Sequence, residues 1–152
     1  MDFITDLLQN QIFVSAALGW LVAQVIKTLI NLIITIQFLM ERMVGGGGMP
    51  SSHSATVCAL ATSTGIKYGG GSFEFAVTMM VAIIVMYDAM GVRRETGRQG
   101  RVLNEMMEVL MNMGKRISAE ERLKEFVGHT PLQVLMGAIL GIIIAVIVMN
   151  IS

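Results

Sequence analysis

The chain has 152 residues, of which 54% are hydrophobic and only 14% are charged, whereas a soluble domain usually carries about 25% charged residues. This composition excludes a disordered chain, a basic nucleic-acid-binding protein and an ordinary soluble enzyme. The mean hydropathy of +0.68 instead predicts an integral membrane protein, and the net charge of zero identifies no partner. The length predicts a single membrane domain over residues 1–152.

Four apolar stretches predict an all-α membrane helix bundle. The first, residues 12–40, contains one charge, Lys27, and exceeds the roughly 20 helical residues that cross a bilayer. The second, residues 52–68, is moderately apolar and reaches about 25 Å as a helix, so a re-entrant helix is an alternative to a span. The third and fourth are residues 73–92 and 131–150. About four transmembrane helices are therefore expected.

A polar segment, residues 93–128, separates the third and fourth spans. This basic loop contains eight of the eleven Lys and Arg residues. Within it, Val102, Met106, Leu110 and Met113 recur at near-helical spacing, which predicts an amphipathic interfacial helix over about residues 97–113. If all four stretches cross, the positive-inside rule places the basic loop in the cytoplasm.

Both histidines stand beside a proline where an apolar helix begins. His53 lies in GGGGMPSSHSA and His129 in VGHTPLQVLMG. With four spans both helices begin on one side, so two imidazoles and two helix N-termini would face one interface. Helix N-termini suit phosphate because they offer unpaired N–H groups and a partial positive charge. Ser51 and Ser52 can cap the helix or donate to phosphate oxygens. Helix capping or interfacial anchoring is the alternative role of each histidine.

A phosphate site also needs cations, and the candidates are Lys27, Arg42, Arg93, Arg94, Arg122 and Lys124. Lys27 shares a helix face with Gln24 and Asn31, and such a polar seam normally faces the bundle interior. The alternative is a snorkelling lysine. The adjacent arginines at 93 and 94 can instead anchor the chain at anionic headgroups. Asp88 is a candidate ion-pair partner for that arginine pair.

These motifs resemble those of the type-2 phosphatidic acid phosphatases and vanadium haloperoxidases. MPSSHSA is similar to their PSGH motif, and GHTPLQVLMGAILG is similar to their third motif. Together with YDAMGVRRETGRQ and LNE, they resemble the short, divergent bacterial and plant branch of that superfamily over about residues 27–142. The resemblance implies a trimmed phosphatase bundle in a bacterial cell membrane. It also implies a lipid-phosphate phosphatase that needs no metal or other cofactor.

The resemblance also implies roles for individual residues. His129 matches the histidine that attacks phosphorus and becomes phosphohistidine, and His53 matches the general acid for the leaving alkoxide. Ser51 matches the serine of PSGH, a donor to phosphate oxygens, and Ser52 stands at its glycine. Lys27 matches the lysine of the first motif. The implied partner is a membrane lipid phosphate carrying a phosphomonoester or pyrophosphate.

Three positions depart from the family pattern. Ile34 stands where an arginine should follow Lys27, and Leu123 stands where an arginine should precede His129. Gln133 occupies the position of the aspartate that orients the nucleophile. Glutamine can accept a hydrogen bond from imidazole but cannot stabilise imidazolium by charge, and a comparable loss in serine proteases costs orders of magnitude in rate.

Two other functions therefore remain open at this stage. One is a non-catalytic membrane protein that binds or translocates phospholipid or anions through a degenerate site. The other is a structural membrane protein that assembles as a homo-oligomer, since Gly137 and Gly141 form a pair of small residues suited to close helix packing.

Overall fold

A computed structural model of the chain describes residues 2–35, 48–113 and 129–151, with the backbone alone for residues 34, 35 and 92–94. The regular elements of these described ranges are helices, which confirms the all-α membrane-bundle prediction. They are α1 (Phe3–Gln9), α2 (Gln11–Thr35), α3 (Ser52–Tyr68), α4 (Phe73–Met90), α5 (Val92–Asn112) and α6 (Pro131–Ile151).

The number of membrane spans differs from the prediction of about four. Within the described ranges, three helical stretches are long and apolar enough to cross a membrane: Gln11–Ile33, Phe73–Asn112 and Pro131–Ile151. The second of these joins α4 to α5. Among the four predicted spans, the one that does not qualify is α3, which has 17 residues and is rich in Ser, Thr, Ala and Gly. Its composition reflects its surroundings, because most of its side chains face protein.

Helix α3 is the centre of the bundle, with α2, α4 and α6 all packed against it. Small residues permit this because they let helix backbones approach closely. A Cβ added to Gly19 of α2 would lie 3.0 Å from the Ala55 carbonyl oxygen. On another side, Gly141 of α6 packs directly against the backbone of the same residue, and Gly137 packs against Ser51. Large side chains at these positions would force the helices apart.

The helix order brings three helix ends to one junction. A short turn at residues 69–72 joins α3 to α4, and Ser72 caps α4 by accepting the Phe75 N–H at 3.2 Å. The Ser51 N–H donates to the Gln133 carbonyl at 3.0 Å, and the His129 N–H donates to the Ala89 carbonyl at 3.0 Å. The beginnings of α3 and α6 therefore meet the end of α4, as expected for two helices that begin on the same side.

The first part of the predicted basic loop is helical. Helix α5 begins at Val92, directly after α4, and contains most of the predicted amphipathic helix. Val102, Met106, Val109 and Met113 are all exposed at helical spacing, so α5 and the following residue carry an apolar face. Helix α1 is an element that the sequence did not predict. Residues 36–40 of the first predicted span and residues 114–128 of the basic loop lie outside the described residues.

Candidate functional site

The two histidines face each other at the junction of α3, α4 and α6. His53 lies in the first turn of α3, and His129 lies two residues before α6. Their ring centroids are 6.1 Å apart and the ring planes are inclined by 60°. His129 is only 1% exposed, whereas His53 is half-buried. The structure thus brings together the two histidines that the sequence singled out.

The first turn of α6 fixes the His129 ring. Its Nδ1 lies 3.2 Å from Gln133 Oε1, and the Thr130 N–H donates to the same oxygen at 3.0 Å. A backbone N–H can only donate, so the Gln133 atom facing both groups is the amide oxygen. Nδ1 must then carry the ring proton. In neutral His129 the lone pair is therefore on Nε2, the nitrogen that can act as a nucleophile.

Ser51 caps α3 at the same junction. Its Oγ accepts the Ser54 N–H at 3.4 Å and the Ser54 hydroxyl at 3.1 Å. The capping role predicted for this serine is confirmed, and both serines are fully buried. Because the Ser51 oxygen accepts both bonds, its own hydroxyl proton is available for another acceptor. Ser52, the first residue of α3, is also buried.

Lys27 lies inside the bundle and is only 3% exposed. It stands eight residues before the end of α2, which is about 12 Å of helix. Gly48 packs against its aliphatic stem: a Cβ added to Gly48 would lie 3.0 Å from Lys27 Cδ and 3.1 Å from Cγ. Gly48 also has a φ of +103°, which favours glycine. This burial favours the bundle-facing interpretation of Lys27 over snorkelling.

The structure leaves other predicted site residues less well defined. Asp88 is half-buried in α4, next to Ala89, whose carbonyl holds the His129 backbone. Arg93 and Arg94 lie in the first turn of α5, but their side chains are outside the described part of the structure. Arg42, Arg122 and Lys124 lie outside the described residues altogether. The described ranges contain no group of three or more His, Cys, Asp or Glu residues that could hold a metal ion.

Two contacts at the site escaped the sequence analysis. The Ala89 carbonyl binds the His129 N–H, and a backbone acceptor leaves no side-chain pattern in a sequence. Gly48 contacts Lys27, and its position at the end of the glycine run was the available signal. A glycine run permits close approach of the backbone to a neighbouring group, and for Gly48 that group is the Lys27 stem.

The described helices form a membrane-type bundle in which two histidines are paired at one junction. The Divergent PAP2 family matches residues 8–144, so the chain belongs to that family, which confirms the resemblance seen in the motifs. The chain is also similar to the uncharacterized membrane protein YuiD of Bacillus subtilis (strain 168). The two are 36% identical over 151 residues, which covers 93% of this chain and 96% of YuiD. No solved structure matches the chain.

Proposed function

We propose that the protein is a membrane lipid-phosphate phosphatase that hydrolyses a phosphomonoester or pyrophosphate through a phosphohistidine on His129. The observation that carries this proposal is the pair of imidazoles, 6.1 Å apart at two helix N-termini. The hydrogen bond between His129 and Gln133 supports it because it leaves Nε2 with the lone pair. Membership of a PAP2-related family supports the same chemistry.

The proposed reaction has two steps. In the first, His129 Nε2 attacks phosphorus, the bond from phosphorus to the leaving oxygen breaks, and protonated His53 gives its proton to that oxygen. The dephosphorylated lipid leaves. In the second step, His53 takes a proton from water, the resulting hydroxide attacks phosphorus, and the N–P bond breaks. Inorganic phosphate leaves, and both imidazoles return to their starting states.

Charge on the phosphoryl oxygens is stabilised by groups converging on the junction. Lys27 supplies a buried cation, and the helix dipoles of α3 and α6 place partial positive charge at the same end of the bundle. The Ser51 hydroxyl proton adds a neutral donor. Fixed donors of this kind act most strongly where the oxyanion charge is greatest, which is in the transition state.

Phosphate release tests the proposal. Purified protein would be assayed with prenyl diphosphates, phosphatidic acid and phosphatidylglycerol phosphate, without added metal, beside His129→Ala and His53→Ala. We expect release by the wild type, none by His129→Ala, and a loss of at least about a hundredfold for His53→Ala. An unchanged rate in His129→Ala would exclude the phosphohistidine route. An acid-labile phosphoryl group on wild-type protein would support it directly.

Gln133 favours a second candidate function. An uncharged amide cannot stabilise an imidazolium, so the same site can bind a phosphate group without turning it over. The protein would then bind or translocate phospholipid or anions. Folded wild-type protein that releases no phosphate, but binds a lipid phosphate less tightly after Lys27→Met, would support this candidate over the phosphatase.

We further propose that the protein resides in the bacterial cell membrane with its site on the cytoplasmic side, supported by eight basic residues between α4 and α6. A homo-oligomer also remains a proposal. The glycine pair that suggested oligomer packing is used inside the chain, because Gly137 and Gly141 are buried against α3. An oligomer would therefore need a different surface.

A further inference from the structure

Helices α2 and α4 cover different faces of α3 and, in the described residues, make no contact with each other. On the α2 side, Gly19 lies against Ala55 and Ala59. On the α4 side, Cys58 Sγ lies 3.7 Å from Met86 Sδ. Helix α6 packs between α2 and α4 on one side of α3. On the other side, a strip of α3 lies in the gap between α2 and α4.

This strip is one side chain wide and begins at the candidate active site. His53, Thr56 and Leu60 lie at i, i+3 and i+7 on one helix face, and all three are half-buried. Neighbouring side chains on both edges of the strip are buried, namely Ser52, Ser63, Val57 and Ala61. We name the strip formed by His53, Thr56 and Leu60 the α3 slot.

The slot has a closed end. Thr64, one turn beyond Leu60 on the same face, is only 2% exposed. From His53 to Thr64 is eleven residues, or about 16 Å of helix. The slot is therefore long and narrow, and Thr64 closes it toward the far end of α3.

The floor of the slot is suited to hydrocarbon. The Thr56 hydroxyl donates to the Ser52 carbonyl at 2.7 Å, and the Thr64 hydroxyl donates to the Leu60 carbonyl at 2.7 Å. Each hydroxyl is thus satisfied by its own helix backbone and needs no water. The walls are α2 and α4, both from stretches apolar enough to cross a membrane. Apolar walls and internally satisfied hydroxyls together suit a hydrocarbon chain.

We propose that the α3 slot holds one hydrocarbon chain of the substrate, with the attached phosphate between His53 and His129. Because the slot is one side chain wide, it accepts a lipid phosphate with a single linear chain and disfavours one with two chains. The placement of the phosphate between the two histidines rests on the proposed function. The placement of the hydrocarbon chain in the slot rests on the separation of α2 from α4, the width of the strip and its satisfied hydroxyls.

Photocrosslinking tests chain binding separately from catalysis. The probe is hexadecyl phosphate with a diazirine in mid-chain, added to full-length protein in phosphatidylcholine nanodiscs. We expect crosslinks on α3 at Thr56 or Leu60 that excess unlabelled hexadecyl phosphate removes and that dioleoyl phosphatidate removes at least about tenfold less effectively. The crosslinked positions can be mapped on the wild-type protein, without any variant. Crosslinks confined to the outer faces of α4 and α6, or unaffected by the single-chain competitor, would overturn the slot.

Two variants complete the test. Leu60→Trp fills the slot and should reduce both the α3 crosslink and hydrolysis of hexadecyl phosphate at least about tenfold. Ile143→Trp adds the same bulk on the exposed face of α6 and should change neither. Specific crosslinking without phosphate release would retain the slot but refute the proposed phosphatase. His129-dependent release without crosslinks on α3 would retain the phosphatase but refute the slot.

Discussion

At the scale of single residues, Gln133 determines how the His129 ring is held. Its amide oxygen accepts the Thr130 N–H and faces His129 Nδ1, so the tautomer is fixed without a carboxylate. Glutamine does not supply negative charge beside a ring that would become cationic in the proposed reaction. The His129 ring thus has the orientation that the proposed phosphohistidine route requires, with weaker electrostatic stabilisation than an acidic residue would give.

Replacing Gln133 with glutamate isolates this missing charge. Gln133→Glu keeps the side-chain length and an oxygen that can accept both hydrogen bonds, and we expect phosphate release to rise at least about tenfold. Gln133→Leu removes the acceptor and should lower release about a hundredfold or more. The measurement is kcat on one lipid phosphate for the three proteins. A glutamate variant slower than the wild type would show that charge at this position does not limit the reaction.

The Gly48 backbone packs beside the aliphatic part of the Lys27 side chain and so limits where the ammonium group can lie. In Gly48→Ala the new methyl would come within 3.0 Å of Lys27 Cδ and displace the ammonium group. We expect kcat/KM to fall about tenfold or more, mainly through a higher KM, because a displaced cation binds phosphate less well. The measurement is steady-state kinetics together with the unfolding midpoint in detergent.

Gly69→Ala is the matched control for this variant. Gly69 also has a positive φ, +85°, but an added Cβ there meets nothing within 4 Å. Both substitutions strain the backbone, so both should lower the unfolding midpoint. Only Gly48→Ala should raise KM. Equal kinetic losses in the two variants would attribute the effect to backbone strain and remove Lys27 from the explanation.

At the scale of helices, the parallel contact between α3 and α6 sets the distance between the histidines. His53 is the second residue of α3, and His129 precedes α6 by two residues. A displacement of one helix relative to the other therefore changes the distance between the rings. The contact depends on glycines whose backbones touch the backbone of α3. Side chains elsewhere on α6 are large and mostly exposed, as expected for a helix whose outer face meets lipid.

Gly141→Ala tests that contact, because the change in the free energy of unfolding can be positive or negative. Helix propensity alone favours alanine over glycine by about 1 kcal/mol. In the structure, however, an added Cβ would lie 3.0 Å from the Ala55 carbonyl carbon and Cα, too close for the helices to keep their spacing. We expect overpacking to cost about 1–3 kcal/mol, and the backbone contact should make alanine destabilising. Chemical unfolding in detergent measures this, and a stabilised variant would contradict the close packing.

At the scale of the whole molecule, the long apolar stretches of the sequence were a good guide to the limits of α4 and α6. Helices α4 and α6 are close to their predicted limits because large apolar side chains continue until a glycine, a polar residue or a proline interrupts them. The central α3 was harder to classify. A helix surrounded by protein is selected for small side chains, and these resemble the composition of a marginal or re-entrant segment.

The candidate site was only partly predictable for a related reason. His53, His129 and Gln133 are side chains in recognisable motifs, and the structure assembles them. The Ala89 carbonyl is a backbone group, which no motif records, and its contact with His129 exists only after α4 and α6 pack together. Distances between segments remote in the sequence, such as the 6.1 Å between the imidazoles, require the packed bundle.

Cysteine accessibility determines whether α3 reaches across the membrane. In a Cys58→Ala background, single cysteines at Met49, Thr130 and Gly70 report the α3–α6 junction and the far turn between α3 and α4. Seventeen residues give α3 about 25 Å of length, close to the roughly 30 Å of a hydrocarbon core. We expect Met49→Cys and Thr130→Cys to react from one side and Gly70→Cys from the other. With the proposed orientation, an impermeant maleimide added outside cells modifies only Gly70→Cys.

Each alternative arrangement gives a different labelling pattern. If α3 is re-entrant, the turn lies inside the bilayer, and Gly70→Cys resists impermeant reagents added from either side. If the orientation is inverted, Met49→Cys and Thr130→Cys react from outside and Gly70→Cys does not. Reaction of Met49→Cys and Thr130→Cys from opposite sides would contradict the junction itself. The Ser51–Gln133 and His129–Ala89 hydrogen bonds require both positions on one side, and the paired-histidine site depends on that junction.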